Sequence, residues 1–329
     1  MFCCDCRVIA ILYCQEAFNL TQRKALAAFY STAIIAPKTS TPTYKLRTFQ
    51  RESVASMDIL DLHIKSTITD RILHPIQHGD FNSAIINLPS ILDKLYTNIP
   101  DQRRSSFGRV YTIKVLSKYL YRQFMDAQLP VYDVASRIFE LCSETRSKGV
   151  ALGILSYYGL EAYQRVLSYF ELTAAGENWE IREFAQMFFR KLTQKYPMEI
   201  KSFLCELAKS DNPNHRRFVA ETLRPVQENQ WIYRKPEYSL SILRLLFREP
   251  LAYPRTSVGN NLSDLARRLP ELVITLVNEL VSNGDTNSYW IAYRACRNLV
   301  KKEPLTVMDS LGVDEYRYKK RIYKRSDFI

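Results

Sequence analysis

The sequence predicts an all-α fold, a solenoid of stacked antiparallel helix pairs, and three observations carry that reading. From about residue 80 onward apolar residues recur every three or four positions, and no segment sustains period-two alternation. Breaks fall near Pro100, Pro130, Gly149, Gly176, Pro197, Pro213, Pro236, Pro254, Pro270 and Pro304. A proline suits the first turn of a helix, because its φ is already set and its missing N–H has no intrahelical partner there. Only 9 Gly stand against 14 Pro in 329 residues, which disfavours folds built on glycine-rich phosphate loops and many tight hairpins. With 47% hydrophobic and 24% charged residues the chain can bury a core, so global disorder is excluded, and its length suits two domains or one elongated repeat array.

Taken in order, residues 1–56 read as an extension and polar linker outside the core. Pro37, Pro42 and several Thr make the stretch before Ser56 turn-rich, and Met57-Asp58-Ile59-Leu60-Asp61-Leu62-His63 resembles a natural beginning. Cys3, Cys4, Cys6 and Cys14 crowd the amino end, while Cys142, Cys205 and Cys296 stand alone in apolar-periodic segments. This is no disulfide framework, and it points to a reducing intracellular compartment: cytoplasmic, nucleoid-associated in a bacterium, nuclear in a eukaryote. Cys3-Cys4-Asp5-Cys6 lacks the two-residue spacer that wraps a chain around tetrahedral zinc, so no metal is expected. Val8 to Tyr13 is apolar, but no basic segment precedes it and no signal peptide is expected. No apolar stretch approaches the roughly 18 residues of a membrane span, so the protein is expected to be soluble, with no membrane partner.

Residues 57–312 form the expected repeat domain. Four segments stack: Trp179 to Ala185, His215 to Ala220, Tyr253 to Val258 and Tyr289 to Arg297. Aligning Arg182, Arg217, Arg255 and Arg294 gives steps of 35 to 39 residues, the period of two-helix repeats of the HEAT and armadillo kind. Stacked in register, the second helices would line a concave basic face and present the arginines along it. The alternative is that each arginine merely bridges neighbouring repeats.

The chain carries a net charge of +12, and residues 178–329 hold 26 basic against 18 acidic residues. A basic solenoid face suits a polyanion, although charge alone does not choose between nucleic acid, anionic membrane and an acidic protein. Residues 313–329 read as a basic aromatic tail, in which Tyr316-Arg317-Tyr318-Lys319-Lys320-Arg321-Ile322-Tyr323-Lys324-Arg325 interleaves cations with rings. A solvated basic helix face is the alternative for the tail taken alone.

Chemistry is concentrated at Trp179 and Glu183, four residues apart and so on one helix face. The pair offers a π face and a negative charge to a cationic substrate. Ordinary helices also contain such pairs, often with the Glu bonded to a neighbour such as Arg182. Trp290 reads as core. His63, His74, His78 and His215 show no zinc-protease spacing, and there is no Gly-x-Ser-x-Gly elbow, phosphate loop or dinucleotide fingerprint. His215 precedes two arginines and could sit in a basic groove, though a lone His is more often structural.

Four ordered blocks between about Gly159 and Gly312 resemble the DNA alkylation repair family, the AlkC/AlkD-like HEAT-repeat DNA glycosylases. They are Glu177-Asn178-Trp179-Glu180-Ile181-Arg182-Glu183-Phe184-Ala185; Arg216-Arg217 through Glu221 to Arg224-Pro225; Ser257-Val258-Gly259-Asn260-Asn261-Leu262-Ser263-Asp264 with Pro270-Glu271-Leu272-Val273; and Arg294-Ala295-Cys296-Arg297-Asn298-Leu299-Val300-Lys301. The resemblance implies recognition of alkylated duplex DNA and excision of cationic N3- or N7-alkylated purines, with no cofactor. It implies that Trp179 would contact the lesion-bearing nucleotide, that Glu183 would stabilise charge developing on deoxyribose and position a water, and that Arg217, or its neighbour Arg216, would hold a backbone phosphate. Arg182, Arg255, Asn260, Asn261, Arg294 and Arg297 complete the expected DNA-binding set. Glu183 stands where the AlkD-like pattern usually has Asp, and Asn260 where it has an aromatic residue; the Asn260-Asn261 pair looks AlkC-like. The expectation is a monomeric glycosylase. The alternative is a noncatalytic HEAT-repeat scaffold for DNA or protein.

Overall fold

The helices of the repeat region begin where the chain supplies a cap or a proline. Asn178, Asn212, Asp285 and Glu144 each accept a backbone N–H of the first turn through their side chains, and Pro197, Pro213, Pro236, Pro270 and Pro304 open helices. The computed structural model describes residues 59–329, within a compact unit that runs from Met57 to Ile329. The cysteine cluster and the whole of the expected extension and linker, residues 1–56, lie outside the described residues.

In order, α1 (Leu62–Ile68) continues through a π turn into α2 (His74–Gln77). It is followed by α3 (Phe81–Thr97), α4 (Asp101–Asp126), α5 (Val131–Leu141), α6 (Thr145–Tyr158), α7 (Leu167–Ala175) and α8 (Trp179–Lys195). Then come α9 (Pro197–Lys209), α10 (Pro213–Thr222), α11 (Pro236–Leu243), α12 (Ala252–Leu265), α13 (Pro270–Ser282), α14 (Thr286–Ala295) and α15 (Pro304–Leu311). From α4 to α14 the even-numbered helices pack side by side in succession, and most odd-numbered helices lie against the even-numbered helix that follows. This is the pairwise stacking of a HEAT-like α-solenoid, in which each unit buries its apolar face against its neighbours.

Phe189 joins the units: its ring centroid lies 5.0 Å from Phe170 on α7 and 5.3 Å from Phe218 on α10, all three fully buried or nearly so. Each such ring contributes about 1.5–3 kcal/mol through burial. Gly149, expected to break the chain, lies inside α6. A Cβ there would sit 2.6 Å from the Phe184 ring of α8, so the glycine serves close helix packing. No helix among the described residues is long and apolar enough to cross a membrane.

The expected tail is a β-hairpin. Strands β1 (Glu315–Tyr318) and β2 (Arg321–Lys324) pair antiparallel, with Tyr316 opposite Tyr323 and both rings buried. Tyr316 stacks on Tyr293 of α14 at 4.4 Å and donates its hydroxyl to the Tyr293 carbonyl at 2.7 Å. Two of the rings expected to offer stacking surface therefore face the core.

Candidate nucleic-acid interface

Counted from the N-caps, the even-numbered helices have a register that differs from the sequence alignment. The fourth helical residue is Arg182 in α8, Arg216 in α10 and Arg255 in α12. Each turns back onto the loop before its own helix. Arg182 donates to the carbonyls of Gly176 at 2.7 Å and Glu177 at 2.6 Å, Arg216 to Ser210 at 2.7 Å and Asp211 at 3.0 Å, and Arg255 to Pro250 at 3.1 Å. These arginines satisfy carbonyls left over at the preceding turn, a role within their own unit that differs from bridging neighbouring repeats. The aligned column of Arg182, Arg217, Arg255 and Arg294 is thus three registers, because Arg182 and Arg255 are fourth in their helices, Arg217 fifth and Arg294 ninth.

Glu183 and Arg217 share the fifth position of adjacent even-numbered helices, and there they meet. Arg217 Nη2 lies 2.5 Å from Glu183 Oε1, and Gln186 donates to Oε2. Trp179, one turn earlier on α8, is 64% exposed, so its indole is free for a ligand rather than spent on the core. Tyr253 of α12 completes the group. Its hydroxyl accepts from Arg182 at 3.1 Å, and the Arg182 and Arg217 guanidiniums lie 5.5 and 4.7 Å from its ring centroid. The sequence signal for Tyr253 was its place in a stacked segment, but nothing in that segment shows that its ring reaches α8 and α10.

The other expected residues divide. Arg216 is bonded through both Nε and Nη2 to Glu249, at 2.6 and 3.0 Å, and the Glu249 side chain is only 1% exposed. That bond pattern holds the Arg216 pKa above its ordinary value, with burial opposing it. Of the two neighbours, Arg217 is therefore the one beside Glu183. Asn261 is buried, and its amide donates to the Ala220 carbonyl at 2.9 Å, bracing α12 on α10 rather than facing solvent. Arg255 bonds Asn287 and lies 5.1 Å from the Trp290 ring centroid, with Arg294 on the same ring at 5.3 Å. Asn260 Oδ1 accepts from Arg294 at 2.9 Å and from Arg297 at 2.6 Å. His215 is held at both ring nitrogens, by Ser210 and the Glu171 carbonyl.

Sequence reasoning missed a second network deeper in the row. Arg224 bridges Glu221 at 2.9 Å and Asp264 at 2.5 Å. Burial opposes the Arg224 charge, but the two carboxylates outweigh it and raise its pKa. Burial likewise works against the charge of Glu221, and Arg224, Ser257 and Arg217 together outweigh it to leave that pKa low. Arg190, also buried, donates to the Glu221 carbonyl at 3.1 Å, and burial lowers its pKa.

Fold and site define an α-solenoid whose even-numbered helices carry arginines and aromatic rings around one clamped carboxylate. No family model matches the chain, and no curated protein does. Solved structures that match the chain include AlkD2 from Streptococcus mutans, at 18% identity and a TM-score of 0.45, covering 56% of this chain and 89% of that one. Smu.31 from Streptococcus mutans UA159 matches at 18% and 0.45, over 59% and 96%. The Pseudomonas fluorescens alkylpurine DNA glycosylase AlkC, bound to DNA containing an abasic site analog, matches at 19% and 0.46, over 79% and 68%. Likeness at this level carries no residue role across to this chain.

Proposed function

We propose that the chain binds duplex DNA across its even-numbered helices and hydrolyses the N-glycosidic bond of cationic N3- or N7-alkylated purines at Glu183. The observation that carries this reading is the Glu183 carboxylate, held by Arg217 at 2.5 Å one turn from an exposed Trp179. The resemblance of four sequence blocks to the DNA alkylation repair family agrees with it. Alkylation makes the purine a good leaving group: the C1′–N bond breaks with its electron pair going to the base, which departs neutral. A carboxylate beside C1′ stabilises the oxocarbenium-like sugar and takes a proton from the attacking water. Arg217 leaves the carboxylate for a backbone phosphate as DNA docks, trading one charge-assisted bond for another and freeing Oε1. Trp179 stacks on the lesion-bearing nucleotide.

One observation favours the scaffold reading: both Glu183 oxygens are already engaged, by Arg217 and Gln186. The experiment that separates the two is release of 3-methyladenine and 7-methylguanine from methylated duplex DNA, with Glu183→Gln as control. Excision predicts release that falls at least about 100-fold in the Gln variant, the scale of losing a major electrostatic contribution. Folded protein that binds the duplex and releases nothing supports the scaffold.

A further inference from the structure

Two turns beyond Glu183 on α8, Lys191 carries an amine that the proposed excision leaves idle. Nearby lysines are spent: Lys195 donates to the Leu160 carbonyl, and Lys114 of α4 pairs with Glu228 at 2.6 Å. Lys191 Nζ takes part in no hydrogen bond or ion pair among the described residues. It lies 3.4 Å from the Tyr157 ring centroid on α6 and 5.6 Å from that of Phe188. Tyr157 in turn stacks on Tyr121 of α4 at 5.4 Å, which fixes the wall beneath the amine. The side chain is half-buried, and Nζ is not among the buried polar atoms left without a partner, so the stem lies on aromatic carbon while the tip reaches solvent.

The surroundings oppose protonation of this amine. Burial does so first, and Lys114 and Lys118 of α4 add like charge. Glu228, in the short helical turn Gln227–Tyr233 after α10, favours the cation, but its carboxylate is bonded to Lys114. Arg122 of α4 adds a further positive charge beside Tyr157. With a pKa of about 7, about half of the Lys191 amines hold a free lone pair at neutral pH, against about one in 2,500 for an ordinary lysine. A desolvated amine with cationic neighbours is the form in which lysine attacks carbonyls. Intact DNA has no aldehyde to offer it. An abasic deoxyribose does, because its ring opens and C1′ becomes an aldehyde, and this is the sugar left when a purine is hydrolysed from the strand.

We infer that Lys191, seated on the Tyr157 ring, is the nucleophile of a lyase acting on abasic sites in duplex DNA, through an imine between its Nζ and C1′ of the open sugar. This rests on the DNA-binding part of the function proposed above but not on excision by Glu183. The amine adds to C1′, the carbinolamine loses water, and the protonated imine makes the C2′ proton acidic enough for water to take it. The electrons of that C–H bond form a C2′–C3′ double bond, and the C3′–O bond breaks with its pair leaving on the 3′-phosphate. Water then hydrolyses the imine and returns the amine. Lys191 follows Glu183 by eight residues, a rise of about 12 Å, so one bound nucleotide does not reach both and the lyase takes an abasic site in a second register of the duplex.

The test uses a DNA duplex with one preformed abasic site, made by removing a uracil, incubated at neutral pH with full-length protein and cyanoborohydride, which reduces an imine to a stable link. A protein–DNA cross-link should form, with peptide mass spectrometry placing the sugar on Lys191, and without the reductant the strand should be nicked on the 3′ side of the abasic site. Lys191→Arg keeps the charge and loses the nucleophile, and Lys191→Met removes both. Each should lower cross-linking, per duplex bound in fluorescence anisotropy, at least about tenfold. Cross-links spread over other lysines, or unchanged in both folded variants, overturn the assignment, as does binding of the abasic duplex with no cross-link. The readings fail separately. Purine release without a cross-link removes the lyase and leaves excision standing, a Lys191 cross-link in protein that releases no methylated purine keeps the lyase and removes excision, and failure to bind any duplex removes both.

Discussion

Lys191 on α8 projects onto α6, its Nζ 3.4 Å from the Tyr157 ring centroid. Burial pulls its pKa down to about 7, and Lys114 and Lys118 of α4 push the same way. The π face offsets only part of that cost. Below the folded value, the native and unfolded states are both protonated and the native state bears the whole penalty. Between about 7 and the unfolded value near 10.4, the unfolded state holds more protons, so stability rises with pH. Lys191→Met should therefore melt above the parent at about pH 6, with the gap closing towards about pH 9.5. Thermal melts across that range check it, and a parallel pH dependence in the two proteins would sink the assignment. Residues 216 and 217 make the complementary point. Neighbours on a helix point about 100° apart, so one arginine reaches Glu249 while the other reaches Glu183.

Among the elements, the hairpin is the most exposed to a single change. Tyr316 supplies it with a stacked ring and a hydroxyl bond to α14, and burial raises the Tyr316 pKa, so the hydroxyl stays a donor throughout the physiological range. Tyr316→Ala should cost about 3–5 kcal/mol and release the hairpin, whereas Tyr316→Phe should cost about 1–2 kcal/mol. Hydrogen exchange over residues 315–324 checks this: protection should collapse in the Ala variant and largely survive in Phe, and equal protection in both would refute the anchoring role. That hairpin was not legible in sequence, because its strands are four residues long and its turn holds Lys319 at φ 56 with no Asn-Gly signal. The helices were legible for the opposite reason: prolines at Pro197, Pro213, Pro236, Pro270 and Pro304 mark first turns. Gly149 misled because a glycine that admits the Phe184 ring looks, in sequence, like one that ends a helix. The Trp179 and Glu183 pair was legible through its one-turn spacing, whereas Arg217 was joined to it only by the family resemblance. Tyr253 was not, since the side chain crosses two helix-to-helix steps that periodicity does not encode.

Across the whole molecule, the positive charge is held together by a few carboxylates that bridge successive units. Glu183 ties α8 to α10, Glu249 ties α10 to the loop before α12, and Asp264 ties α12 back to Arg224. In a solenoid these bonds sit at nearest-neighbour interfaces, so their loss uncouples units instead of weakening one central core. Glu221 holds Arg224 from three residues away on the same helix end, so its titration loosens the arginine that Asp264 grips from α12. The folded pKa of Glu221 is depressed below 4.5, so its contribution is complete above that value and is lost as pH falls through the folded one. Protonation also adds to a net charge of +12, strengthening repulsion along the even-numbered row. Melting temperature should therefore be level between about pH 5 and the range near pH 7 where Lys191 begins to titrate, and fall steeply from about pH 4.5 downward. Glu221→Gln should lose about 3 kcal/mol at neutral pH by leaving Arg224 half-paired, and should fall less steeply in acid because one titrating group is gone. Circular dichroism melts of both proteins from neutral to acid pH decide it; identical acid slopes would mean that the coupling of units rests on packing alone and not on this ion-pair network.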